Sequence, residues 1–385
     1  MNHFGDQLSY RIKELKNPSV VGLDPRLDKI PNYIKDEAIR KFDKTPQAAA
    51  EAIWMFNQGL IDAIADIVPA VKPQIAFYEC YGHHGLEAYQ RTVSYAQKKG
   101  LLVIGDVKRS DIGSTAEAYA EGHLGMVDVF GLPTPMINSD AVTVNPYLGS
   151  DGITPFTKVC KEQGKGIFVL VRTSNESADE IQGMAVGDEL VDEVVAGLVE
   201  GWGRDLIGES GFSSVGAVVG ATYPEEAREL RLRMPNQIFL VPGYGAQGGG
   251  AEDAKPCFHS NGTGAIVNSS RGIIFAYLDD KMTERAYAEA AAALSYRLAR
   301  EPAEPFFYLQ AIEDREAMEA LRSREERLCL GIRTGAVGRV GELALGYLGA
   351  LAAASLSPQR VRHEVLALFS RARDELDGIG VTAAA

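Results

Sequence analysis

Cysteine is scarce in this chain. Four occur among 385 residues, Cys80, Cys160, Cys257 and Cys329, with no C-x-x-C pair. Such wide spacing excludes a disulfide framework and a cysteine zinc site, and leaves buried thiols. Excess positive charge is missing as well. With 39 Lys and Arg against 52 Asp and Glu, the formal net charge is -13, which argues against nucleic acid or an anionic membrane as the main partner. A local basic pocket for a small anion stays open. The apolar stretch Leu343 to Leu356 is too short and too rich in glycine to cross a bilayer comfortably, so a buried helix or subunit contact is expected there. The amino terminus has no basic-then-apolar leader. Phe4, Leu8, Ile12 and Leu15 instead share one helical face, and the expectation is a cytoplasmic protein. His83 and His84 lack a third ligand and read as the start of a helix, not a metal site.

What is present is enough for one large core with material left over: 46% of residues are hydrophobic and 24% charged. Short β-branched runs alternate with longer helical patterns. Strands are expected near 20–24, 68–72, 101–106, 141–145, 166–172, 214–219, 237–241 and 264–268. Helical stretches between them include Gln47 to Ile67, Gly85 to Lys99, Thr115 to Phe130, Gly187 to Ile207, Glu225 to Arg233 and Thr283 to Arg300. Strict alternation means a parallel sheet, and eight units over about 250 residues or more favour an α/β fold of the (β/α)8 TIM-barrel type. Polar residues recur at several strand ends: Asp24, Lys72, Asp106 with Lys108, Asn145, Thr173 with Ser174, Gln247 and Arg271. A barrel collects these around one mouth, whereas an open sheet spreads them along an edge. Composition shifts near residue 300: Lys281 is the last lysine, and Pro302 and Pro305 punctuate the chain. Residues 1–298 are therefore assigned to the barrel and 299–385 to a mainly helical extension of unknown role.

The densest chemistry lies in GDVKRSDIGST, Gly105 to Thr115, after the run Leu101 to Ile104. Alternation along a strand projects Asp106 and Lys108 to one side at its carboxyl end, with Asp111 in the turn beyond. Ser114 and Glu117 fit the S-x-x-E capping box, so a helix is expected to begin near Thr115. The second signal is VPGYGAQGGG, Val241 to Gly250. Its glycines match G-x-G-x-x-G, but a dinucleotide fold places that pattern after its first strand, and here it follows the seventh. In barrels the loops after strands seven and eight commonly bind phosphate. NSSRG, Asn268 to Gly272, follows there, so Arg271 can grip a phosphate through two hydrogen bonds while Gln247 donates a neutral one.

Together these motifs resemble the orotidine 5'-phosphate decarboxylase family, in its longer bacterial branch. The likeness covers about residues 1–298 and rests on VVGLDPR (20–26), VKPQIAFYE (71–79), DVKRSDIGST (106–115), VNPYLGSDG (144–152), VRTSN (171–175), VGAVVGATYPEE (215–226), VPGYGAQGG (241–249) and NSSRG (268–272). The resemblance implies conversion of OMP to UMP in pyrimidine biosynthesis by a homodimer with shared active sites, using no metal and no organic cofactor. It also implies that Asp24 binds the ribose hydroxyls, that Lys72 adjoins the ribose and the charge network, and that Lys108, flanked by Asp106, protonates C6. Asp111, Ile112 and Thr115 would come from the partner subunit. Ser174 would contact the pyrimidine, Pro242 line the pocket, and Gln247 and Arg271 hold the phosphate.

Two other enzyme classes fit parts of the pattern. Metal-dependent sugar-phosphate decarboxylases and hexulose-phosphate synthases share the D-x-K-x-x-D strand end, but carry an acidic residue where this chain has Lys72. A Schiff-base aldolase needs a neutral amine, which two flanking carboxylates oppose. A non-enzymatic scaffold would be credible only with degraded site residues, and all are present.

Overall fold

The computed structural model describes residues 3–243, 251–279 and 283–298. Its centre is a closed barrel of eight parallel strands: β1 (Ser19–Leu23), β2 (Ala70–Pro73), β3 (Leu102–Arg109), β4 (Ala141–Val144), β5 (Gly166–Arg172), β6 (Val215–Val219), β7 (Phe239–Val241) and β8 (Ala265–Ser269). Each strand pairs with its neighbours in sequence, and β1 closes on β8 through Ser19 opposite Val267. All eight fall close to the ranges that periodicity predicts.

Alternation divides every strand into two sets. One set faces the surrounding helices, where Val21, Val71, Val103, Val142, Val169 and Val267 pack into a large outer core. The other set fills the barrel, with Val20, Ala70, Ile104, Ala141, Phe168, Val218, Leu240 and Ile266 in contact. The helix Phe4–Leu15 stoppers the amino end by inserting Phe4 and Leu8 among these interior residues. Phe4 meets Phe168 edge to face at 5.9 Å. Gly166 makes the room, since a Cβ there would lie 2.2 Å from the Phe4 ring.

Two expected helices differ. The stretch assigned to Thr115–Phe130 is a helix only over Gly113–His123, followed by an antiparallel hairpin of Met126–Val129 with Leu132–Pro135. Phe130 and Gly131 turn it with φ of 55° and 85°, the double left-handed turn that suits a two-residue hairpin loop. Pro133, Pro135 and the β-branched Val127 and Val129 disfavour a continued helix. The Ser114–Glu117 capping box does not form. The helix starts one residue before Ser114, with Ile112 in the capping position and no side-chain cap. Likewise, the expected helix from Gly187 is Val191–Gly203, preceded by a short hairpin of Ala185–Val186 with Glu189–Leu190. Among the described residues no helix is long and apolar enough to cross a membrane.

Candidate active site

Following the interior sets of β2, β3, β4 and β8 upward leads from apolar residues to polar ones. Two positions beyond Ala70 stands Lys72; two beyond Ile104 stands Asp106; two beyond Ala141 stands Thr143; two beyond Ile266 stands Asn268. They open into a cleft of about 540 Å³ at the carboxyl end of the barrel, a volume suited to a small molecule. Asp24, Lys72, Asp106, Lys108, Ser174, Pro242 and Arg271 all line it. Asp111, Ile112 and Thr115 do not line it and lie toward the surface, with Ile112 52% exposed. Gln247 falls outside the described residues.

At the centre one carboxylate holds two amines. Asp106 is 6% exposed; its Oδ2 accepts from Lys72 Nζ at 2.6 Å and its Oδ1 from Lys108 Nζ at 2.5 Å. Burial alone would push the Asp106 carboxyl up, but the two ammonium groups overcome that and hold it well below the usual carboxylate range. Burial equally opposes charge on Lys72, yet Asp106, helped by Asp24, leaves its pKa raised. The two lysines differ in access: the Lys72 side chain is 7% exposed and that of Lys108 is 46%. Lys72 is locked in the wall, and Lys108, although held by Asp106, is open to a bound molecule.

Around this centre are groups without partners. Among the described residues, one carboxylate oxygen of Asp24 and the amide oxygen of Asn268 are buried with no hydrogen bond, a costly state that donors from a ligand would relieve. Gly22 lets Ser270 pack closely against β1 beside Asn268, because a Cβ there would sit 1.9 Å from Ser270 Oγ and 3.3 Å from Asn268 Oδ1. Across the cleft, Gln182 braces the segment carrying Ser174. Its Oε1 accepts from the Thr173 backbone N–H at 2.8 Å, and its Nε2 donates to Thr173 Oγ1 at 2.7 Å. Below that segment Arg172, 2% exposed, pairs with Asp179 at 2.6 Å and lies 3.9 Å over the Tyr223 ring.

Sequence reasoning did not single out Thr143, Gln182, Asn268 or Gln74, which also line the cleft. Thr143 was legible by parity, as the polar residue two places beyond Ala141. Gln182 was not, since it reaches the site from an irregular loop that has no period. Asn145, expected at the mouth, caps its own turn by accepting from the Tyr147 N–H at 3.0 Å. Among the described residues no three His, Cys, Asp or Glu side chains are grouped as a metal site.

Residues 54–287 match the family model described as orotidine 5'-phosphate decarboxylase / HUMPS family. Orotidine 5'-phosphate decarboxylase from Rhodopirellula baltica is 45% identical over 277 residues, covering 72% of this chain and 90% of that protein. The namesake from Caldicellulosiruptor bescii is 44% identical over 277 residues, covering 72% and 91%. Among solved structures, OMP decarboxylase from Leishmania donovani superposes with a TM-score of 0.57 at 31% identity, covering 77% of this chain and 99% of that one. With a closed eight-strand barrel, an Asp and Lys cluster at its mouth and relatives of this similarity, the chain belongs to the orotidine 5'-phosphate decarboxylase / HUMPS family.

Proposed function

We propose that the cleft binds OMP and releases CO2 and UMP, with Lys108 as the proton donor. The observation that carries this reading is the single buried carboxylate held between two amines, at 2.6 and 2.5 Å. Breaking the bond from C6 to the carboxylate leaves an electron pair in an orbital that the pyrimidine π system cannot delocalise. Stabilisation must then be electrostatic. A fixed ammonium beside C6 lowers the energy of the developing charge, and such preorganisation in a water-poor site is usually the largest catalytic contribution. The proton then moves from Lys108 Nζ to C6, forming the C–H bond of UMP, and the amine regains a proton from solvent. Asp106 fixes the ammonium in place and stays ionised while doing so.

Substrate recognition follows from the remaining groups. Asp24, with its unpartnered oxygen, accepts from the ribose hydroxyls, with Lys72 alongside; Ser174 meets the pyrimidine and Pro242 lines the pocket. Arg271 holds the phosphate together with Gln247. Binding energy spent on the phosphate, remote from C6, orients the ring and closes loops. Lys72 separates this reading from metal-dependent relatives, because an ammonium buried against Asp106 leaves that carboxylate no vacant face for a cation. A direct turnover assay of OMP, run in EDTA, tests the proposal. Undiminished UMP formation supports it; loss restored only by a divalent ion favours the metal-dependent chemistry.

The reading includes a homodimer in which Asp111, Ile112 and Thr115 complete the partner's cleft. Its support is a set of exposed apolar side chains, Ile112, Phe130, Leu132, Tyr147 and Leu148, on the connections that follow the adjacent strands β3 and β4. Light scattering of Phe130→Asp with Leu132→Asp tests it, with a monomer expected. A cytoplasmic setting is part of the same reading, supported by the free thiols Cys80, Cys160 and Cys257. So is the division at residue 298, with a helical extension that takes no part in the chemistry.

A further inference from the structure

We propose that Thr143 is a positioning residue for decarboxylation, setting the geometry of Asp106 and Lys108 through one hydroxyl. The inference rests on the roles given to those two residues above. Between β3 and β4 the register breaks: Gly105 lies opposite Val142 and Arg109 opposite Val144, so β3 advances four residues while β4 advances two. The extra length is a bulge that carries Asp106, Val107 and Lys108. Within it Lys108 takes a φ of 44°, a left-handed conformation that lysine rarely adopts. Such a backbone persists only where its surroundings over-determine it.

Thr143 is what determines it. A bulge deprives the Val107 and Lys108 amides of ladder partners, and both are supplied instead by Thr143 Oγ1, each at 3.0 Å. The same hydroxyl donates its only proton to Asp106 Oδ1 at 2.9 Å. A hydroxyl offers two lone pairs and one proton, so its whole bonding capacity is committed to the three residues of the bulge. Thr143 is 1% exposed, and water cannot easily replace it. The contact to Oδ1 also fixes the carboxylate rotamer, turning Oδ1 toward Lys108 and Oδ2 toward Lys72. Without the hydroxyl, the buried Val107 amide and the part-buried Lys108 amide lose their acceptor. The bulge then relaxes toward ordinary φ values and carries the Lys108 amine away from its working position.

The test compares Thr143→Val, Thr143→Ser and Lys108→Ala by steady-state turnover of OMP, with folding checked by circular dichroism. Valine keeps the branch and removes the hydroxyl, while serine keeps the hydroxyl. Thr143→Val is expected to lower kcat about 100-fold with KM within about threefold, since misplacing a reacting group by about 1 Å has that scale of effect. Thr143→Ser is expected to stay within about threefold of the parent kcat. A merely structural role would not single out the hydroxyl, so equal damage in serine and valine overturns the proposal, as does a valine variant with parent kcat. If valine prevents folding, Thr143→Ala replaces it under the same criteria. Loss of turnover in Lys108→Ala beside full turnover in the hydroxyl-free variant defeats this inference alone; persistent turnover in Lys108→Ala defeats the reading beneath it.

Discussion

At the amino end of the barrel the interior positions hold Phe4, Leu8, Ile104 and Phe168, and at the carboxyl end the same inward-facing sets hold Lys72, Asp106, Thr143 and Asn268. Both ends are buried, yet they stabilise in opposite ways. The lower end gains from apolar area removed from water and from an aromatic pair, and its buried Asp6 accepts from the N–H groups of Glu209 and Ser210 at 3.1 and 2.7 Å. The upper end keeps charges out of water, holds a lysine in an unfavourable backbone state and leaves acceptors unpartnered. The comparison teaches that the fold is secured at one end so that the other can be kept poised for a ligand.

Substitutions can break that contrast. The largest effect is expected at the top: Lys108→Ala should lower kcat by at least about 1000-fold, the scale for loss of a proton donor or a charge-stabilising group. Its urea midpoint should stay near that of the parent, because Lys72 still neutralises Asp106. Substantial residual kcat would remove Lys108 from the donor role. The mirror experiment is Phe4→Ala at the bottom, expected to reduce unfolding free energy by about 3–5 kcal/mol, the usual range for a buried phenylalanine. Its kcat should persist wherever the protein stays folded. Equal loss of activity and stability in either variant would dissolve the division between the two ends.

Arg271→Ala sharpens the contrast within the upper end, separating binding from chemistry. KM for OMP should rise about 10- to 100-fold, the range for one charge-assisted contact to phosphate, with a smaller change in kcat. A subtler probe is pH. His123 is buried beside Arg109, and burial, helped by that guanidinium, lowers its pKa from 6.5 to about 4. Above pH 6.5 the ring is neutral in both states; as pH falls, the unfolded chain takes up a proton that the folded one refuses. Stability should therefore drop between pH 6.5 and 4, by about 3 kcal/mol at most. His123→Gln should flatten that part of the curve in urea titrations. Smallest of all, ending the chain after about residue 300 should leave turnover intact; a folded but inactive product would bring the extension into the site.

The sequence made the barrel legible because one rule, period two in strands and longer helical periods between them, holds in every unit. The same rule exposed Asp106 and Lys108 together. It did not expose the bulge, since an extra pair of residues in β3 leaves the spacing of apolar residues around it unchanged while altering the backbone at Lys108. Nor did it find the hairpin of Met126–Val129 with Leu132–Pro135, whose alanine-rich approach continues a helical pattern until prolines end it. Gln182 escaped for a different reason: its contacts to Thr173 are set by tertiary placement of a loop, on which periodicity is silent.

The positive φ at Lys108 restricts what could stand there before any chemistry is considered. Valine, isoleucine and threonine would clash with that dihedral, whereas glycine and asparagine would tolerate it but bring no transferable proton. Stereochemistry thus guards the amine against gradual replacement by aliphatic residues. Anyone wishing to recruit this barrel for a different reaction would have to straighten the third strand first.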